Sequence, residues 1–338
     1  MLTSRFVHHL KLIAVALSLA LVAVGCGSDS SDNGGSAGDG PEGKTVAFVG
    51  YGKENPWGAY FNQVFLQKLG DEGVKVRDLT SMDAGTAVTN FNQAISSKPD
   101  LIVAALLDTS AMVVPIKKAK QADIPVLVFD GRPDPENEED VLQVLSDNAA
   151  LGTAAATNLV EGMQGQGKDA GKVIVITGTK SGFASQDRMK AFDEEMAKNP
   201  SYEVIDVQDG NWDPALTGKI ATQLFAKYGC SGVQGAYGMA DYMALAIIAS
   251  AKQAGCAIGG KDGLIVTSSN CFKAGIEAIK AGTLYGTATE DPGTIAEQTA
   301  DYVLRFFNGE NPPEKEIVKE ERVTADNVAQ FEAQCSNA

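Results

Sequence analysis

Residues 124–132 read Ile-Pro-Val-Leu-Val-Phe-Asp-Gly-Arg. The run from Val126 to Phe129 is short, β-branched and aromatic, the pattern of a strand buried on both faces in a parallel sheet covered by helices. It stops at Asp130 and Arg132, opposite charges placed where open α/β sheets bind ligands, in the crevice beyond the carboxyl ends of the strands. An ion pair on a surface loop explains the same two residues, so the neighbouring chain has to decide between them.

Working outward, strand and helix patterns alternate with short connections, the signature of a parallel sheet with helices on both faces. Strands are expected at Val46 to Gly50, Val74 to Leu79, Leu101 to Ala105, Val126 to Asp130 and Val141 to Leu145. Helices over Trp57 to Leu69, Ala84 to Ser96 and Ser110 to Gln121 lie between them. After Ser146-Asp147-Asn148 the alternation starts again, with strands at Lys172 to Thr177, Tyr202 to Val207, Gly232 to Tyr237 and Leu264 to Ser268. The fold class is therefore α/β, with two doubly wound lobes. A strand at Tyr285 to Thr289, a helix at Thr294 to Phe307, a strand at Lys315 to Lys319 and a helix at Thr324 to Gln334 follow.

The chain opens on Arg5, His8, His9 and Lys11, then an apolar run from Leu12 to Val24. That run is short of the roughly 20 residues that span a bilayer and reads as a signal peptide over residues 1–25. Val22-Ala23-Val24-Gly25-Cys26 resembles a lipobox, which makes Cys26 the expected lipidation site. Residues 26–43 are mostly Gly, Ser, Asp and Asn and cannot bury a core. They read as a tether with a reach on the order of 20–25 Å.

The net charge is −15 and no basic run interrupts it, so nucleic acid is not an expected partner. Both histidines of the chain lie in the leader, which excludes a Ser-His-Asp or Cys-His centre and a His-ligated metal. Gly50-Tyr51-Gly52 lacks the third glycine and the acidic partner of a dinucleotide fingerprint. Gly162 to Asp169 lacks the Ser or Thr that would end a phosphate loop and follows a helix, so it reads as a helix stop. No cofactor and no metal are expected, and an enzyme is disfavoured. Four further cysteines permit three disulfide pairings. Cys230 with Cys256 is preferred because each precedes a strand with one helix between them; Cys271 with Cys335 follows.

Asn55-Pro56-Trp57, Ile124-Pro125-Val126 leading to Asp130, Ser146-Asp147-Asn148, Asp187-Arg188, Asp241-Tyr242-Met243-Ala244-Leu245 and Gly275-Ile276, in this order, resemble the ribose-binding type of periplasmic solute-binding protein. The resemblance runs from about Lys44 to about Asn327. It implies two lobes joined by three crossings, near Asp147, near Asp291 and near Pro313 to Ile317, closing like a hinge on a sugar. The first lobe is expected at 44–147 plus 292–314 and the second at 148–291 plus 315–338.

A sugar presents apolar C–H faces and a rim of hydroxyls, which call for flat aromatic rings and for charge-assisted hydrogen bonds. By position, the resemblance implies Trp57 and Trp212 as stacking residues and Asn55 and Asp130 as polar contacts of the first lobe. Arg132 stands one residue beyond the place where the family has an arginine, because Gly131 intervenes. In the second lobe the implied contacts are Gln186, Arg188, Asp213, Asp241, Asn270 and Glu290. Gln186 and Arg188 do not share a helix face, so only one of them is expected to point inward.

The expected function is an exported, membrane-anchored monomer that captures a sugar or polyol other than ribose and delivers it to a permease of the ATP-driven importer class. Sensory signalling to a membrane kinase or chemoreceptor, or capture of a small amino or charged solute, would use the same fold.

Overall fold

In the computed structural model, which describes residues 40–335, the first alternating segment builds β1 (Thr45–Val49), α1 (Pro56–Asp71), β2 (Lys75–Asp78), α2 (Ala84–Ser97), β3 (Leu101–Ala104), α3 (Thr109–Gln121), β4 (Val126–Asp130) and β5 (Leu142–Ser146). The second builds α4 (Asn148–Gly165), β6 (Gly171–Thr177), α5 (Phe183–Met196), β7 (Tyr202–Asp209), α6 (Pro214–Tyr228), β8 (Gly235–Gly238), α7 (Asp241–Gln253), β9 (Ile265–Thr267), α8 (Lys273–Lys280) and β10 (Gly286–Ala288). The chain then returns through α9 (Pro292–Phe307), β11 (Lys315–Val318), β12 (Arg322–Thr324) and α10 (Val328–Cys335). The leader, Cys26 and nearly all of the tether lie outside the described residues.

Two six-stranded sheets result, ordered β11-β5-β4-β3-β1-β2 and β12-β10-β9-β8-β6-β7. All pairs are parallel except β12 with β10. Because successive side chains point to opposite faces, each buried strand serves two cores. In the first lobe Phe48, Val103, Leu127 and Phe129 pack toward α1 and α9, while Ala47, Val49, Ile102 and Val128 pack toward α2 and α3. In the second, Ile174, Ile176, Ala236 and Val266 face α6, α7 and α8, while Val173, Val175 and Tyr237 face α4 and α5. The expected two-lobed α/β architecture is the observed one.

The third crossing corrects the expected boundary. Lys315 to Val318 pairs with Gln143 to Ser146 at the edge of the first sheet, so the chain crosses at residues 319–321 and only β12 and α10 go to the second lobe. A four-residue Lys-Glu-Ile-Val strand carries no mark of which sheet it will extend. Three-residue β12 was not expected, and α10 starts four residues later than the pattern suggested because Thr324 belongs to that strand. The crossings are tied to one another: Asp147 N donates to Val318 O at 3.2 Å, Thr289 N donates to Glu321 O at 2.9 Å, and Glu321 N donates to Thr289 Oγ1 at 2.8 Å.

Both expected disulfides are present. Cys230–Cys256 joins the segments entering β8 and β9, and Cys271–Cys335 ties α10 to the end of β9. The α4 and α5 helices pack closely at Gly152, where a Cβ would overlap the backbone carbonyl of Arg188. Backbone cannot yield as a side-chain tip can. Gly152→Ala is therefore expected to lower unfolding free energy by about 1–3 kcal/mol, the usual range for overpacking. Urea denaturation would read this as a lower midpoint at unchanged slope.

Candidate functional site

The carboxyl ends of both parallel sheets face one narrow pocket with a cavity volume of about 30 Å³. From the first lobe come Tyr51 after β1, Asn55 and Trp57 at the start of α1, Met82 after β2, and Asp130 ending β4. From the second come Arg188 on α5, Trp212 after β7, Tyr242 on α7 and Asn270 after β9, with Glu290 in the second crossing.

The first-lobe wall is set by an aromatic stack. Phe61 lies 4.4 Å from Phe129 and 5.1 Å from Trp57, ring centre to ring centre, with planes within 16° in both pairs. Tyr51 meets the edge of Trp57 at 5.6 Å and donates its hydroxyl to Asp130 Oδ2 at 2.7 Å. The other Asp130 oxygen accepts from Ser146 Oγ at 3.0 Å. Asn55 caps α1 by accepting from Gly58 N at 2.9 Å, and its amide nitrogen reaches across to the Tyr242 hydroxyl at 3.1 Å. One Asn55 side chain thus both caps α1 and reaches across the pocket.

On the second-lobe side Arg188 is buried and forms an ion pair with Glu290 at 2.6 Å. It also donates to Asn148 Oδ1 at 2.7 Å and to Met239 O at 3.0 Å, and its guanidinium carbon lies 5.2 Å from the Trp212 ring centre. Asn270 donates its amide to Glu290, while its own side-chain oxygen is buried without a partner. Three wall residues hold left-handed backbone, with φ of 65° at Asp130, 56° at Trp212 and 102° at Asn270. Such conformations cost on the order of 1–3 kcal/mol each and cluster at functional sites. Gly178 makes room for the indole, since a Cβ there would overlap the Trp212 ring.

Seven of the eleven expected contacts meet here: Asn55, Trp57, Asp130, Arg188, Trp212, Asn270 and Glu290. The other four do not line the pocket. Arg132 turns away and clasps Asp187 through two hydrogen bonds of 2.8 and 3.1 Å, stacked on Phe183, because Gly131 displaces it from the strand end. Gln186 is exposed and donates to Lys180 O at 2.9 Å. Asp213 caps α6 through Ala215 N and Leu216 N. Asp241 is fully buried and accepts from Ser268 Oγ, Thr287 Oγ1 and Phe272 N; it fastens β9 and β10 to the start of α8 instead of meeting a ligand. Tyr51, Met82 and Tyr242 were not foreseen. Only the position of Tyr51 directly after a strand, and of Tyr242 beside a helix start, could have signalled them.

Buried charge shapes the site's titration. Burial pushes the Glu290 carboxyl well above its ordinary value; Arg188 pulls it back in part, and Asp130, within hydrogen-bond reach, pushes it further. For Arg188 burial alone would lower the pKa, but Glu290, Tyr237 and Asp130 outweigh it and the net shift is upward. Burial likewise raises the Tyr51 hydroxyl, with the Asp130 charge adding to it. Asp241 is raised by burial to about 6, its hydrogen bonds offsetting part of the effect. Glu320, in the third crossing, is pushed by burial to about 8 despite the Thr289 hydroxyl and Arg188. Among the described residues no group of His, Cys, Asp and Glu is placed to hold a metal ion.

Residues 46–311 match the periplasmic binding protein domain family, and the chain belongs to that family. Among curated relatives it is similar to the fructose import binding protein of Bifidobacterium longum, 25% identical over 91% of each chain. Two solved structures share its fold. One is a carbohydrate transporter solute binding protein from Agrobacterium radiobacter in complex with D-arabinose, at TM-score 0.78 and 19% identity over 87% of this chain and 99% of that one. The other is a Caulobacter myo-inositol binding protein bound to myo-inositol, at TM-score 0.78 and 17% identity over 87% and 98%.

Raised carboxyls make a definite prediction. Native Glu320 holds a proton that the unfolded chain releases, so its contribution to stability is full below about 4.5 and is lost as pH rises through about 8. Glu320→Gln should match the parent near pH 4.5 and exceed it at pH 8.5 by on the order of 4 kcal/mol, read by urea unfolding at both pH values.

Proposed function

We propose that the protein is a lipid-anchored, monomeric solute receptor that closes two lobes on a sugar or polyol and presents the closed form to a permease of the ATP-driven importer class. The observation that carries this reading is the pocket itself. Both lobes supply it, its walls alternate flat rings with carboxylate, guanidinium and amide groups, and that pairing suits a solute with C–H faces and a hydroxyl rim. The names of the similar proteins point the same way, to fructose, D-arabinose and myo-inositol.

Closure follows from differential contact. Asn55 bonds Tyr242 across the pocket mouth at 3.1 Å, and the Trp57 indole nitrogen donates to the Glu290 carbonyl at 3.4 Å. A ligand held by Trp57 and Asp130 on one side and by Trp212 and Arg188 on the other gains its full set of contacts only when the lobes meet, and so shifts the equilibrium toward the closed form. The lipobox and tether would keep the receptor beside the membrane that holds its permease.

The direct test is a thermal-shift panel of pentoses, hexoses and cyclic and acyclic polyols, run on protein refolded from denaturant to strip any co-purified solute. A sugar or polyol, plain or amino-substituted, should raise Tm by several degrees, and a panel of both kinds with no stabilising member would sink the reading. For the best ligand, Trp212→Ala and Asp130→Ala should each weaken calorimetric affinity at least about a hundredfold, roughly 2.7 kcal/mol. Gln186→Ala, whose side chain lies outside the pocket, should stay within about threefold.

A further inference from the structure

The charges on the pocket wall do not balance. Asp130 and Glu290 are both buried in the wall of the same pocket, where buried carboxylates call for cations beside them. The wall has a single basic residue, Arg188, and its ion pair is with Glu290. Asp130 receives only neutral hydroxyls, from Tyr51 and Ser146. The other arginine near the strand end, Arg132, is held by Asp187. Behind the wall stands another acid, Glu320, whose charge is felt at Arg188 but which pairs only with the Thr289 hydroxyl.

The remaining surface also favours positive charge. Four aromatic rings, Tyr51, Trp57, Trp212 and Tyr242, line the same pocket, and the π-face of an aromatic ring attracts a cation within about 6 Å of its centre. Asn270 contributes a buried side-chain oxygen with no donor, beside Glu290. An ammonium offers three N–H donors and one positive charge, which is what these acceptors lack.

Resting on the reading of this pocket as a solute site, we infer that its solute is a sugar or polyol that carries a protonated amino group, with the ammonium taken by Asp130 and the adjoining Glu290. A neutral polyol would bring no positive charge to these carboxylates, and the charge-assisted bonds that distinguish the amine would be absent.

Matched pairs test this by calorimetry at pH 6.5: D-glucosamine against D-glucose, D-galactosamine against D-galactose, 1-amino-1-deoxy-D-glucitol against D-glucitol, and a monoamino-deoxyinositol against myo-inositol. N-acetyl-D-glucosamine serves as the uncharged amide control. At least one amine should bind tenfold or more tighter than its neutral partner, and Asp130→Asn should bring that ratio close to one. Neutral members that bind as tightly as, or tighter than, every amine would overturn the inference and leave the sugar reading standing. Failure of both classes would overturn both. Should Asp130→Asn not fold, Glu290→Gln and the parent protein's own ratios decide.

Discussion

The Arg188–Glu290 ion pair is the contact on which the site depends. It joins a helix of the second lobe to the crossing that leads back to the first, and it does so with both side chains out of water. Such a pair does not stabilise a fold by itself, because the desolvation of two ions rivals their attraction. It survives where the leftover donors and acceptors are also met. Here Asn148, Met239 and Asn270 supply those partners, and each lies at a junction the pair must hold: the start of α4, the loop after β8, and the end of β9. Apolar groups of equal volume would pack there at no penalty, so a fully served ion pair in the wall of a pocket points to ligand chemistry more than to stability.

Around that pair the backbone is held under strain. Asp130, Trp212 and Asn270 each end or follow a strand in left-handed conformation, and a tryptophan in that region is rare because its Cβ crowds the next peptide. The neighbouring structure compensates at specific points. Gly178 has no Cβ to meet the indole, Asp213 anchors the following helix by capping it, and the Cys271–Cys335 bond fixes the residue after Asn270. Asp213 and Asp241 therefore act on the site through the frame without touching its cavity. Charge near a strand end is the shared sequence signal for ligand contacts and for such anchors, and hydrogen-bond geometry alone separates them.

That distinction explains what could be read from the chain and what could not. Short β-branched runs between amphipathic helices give the two sheets directly, because a period of two against a period of 3.6 is a local property. The placement of Lys315 to Val318 in the first sheet is not local, since it depends on which edge is free when the chain returns. Trp57, Trp212 and Glu290 were legible through the family resemblance, and Asp130 through that and as a charge ending a buried strand. Arg132 was misplaced by a single inserted glycine, enough to send its side chain to Asp187 and Phe183. Tyr51, Met82 and Tyr242 carried no such mark; Tyr51 and Tyr242 pack against the first-lobe core while presenting hydroxyls to Asp130 and Asn55.

The three crossings are short, mutually hydrogen-bonded and acidic. Asp147 caps α4 and Asp291 caps α9, each through its side chain, so both helices begin at the hinge with their positive ends toward it. Glu320 has no helix to cap; it accepts one hydroxyl and keeps a buried oxygen without a partner. A carboxyl in that position is neutral while the crossings stay packed and ionises readily once water reaches it. The same desolvation that holds the proton on Glu320 thus depends on the packing of the crossings, and it reaches the pocket through Arg188 and Asp130, whose charges both act on it. Hinge packing and pocket charge are in this way one electrostatic problem, and the Arg188–Glu290 pair sits where the two meet.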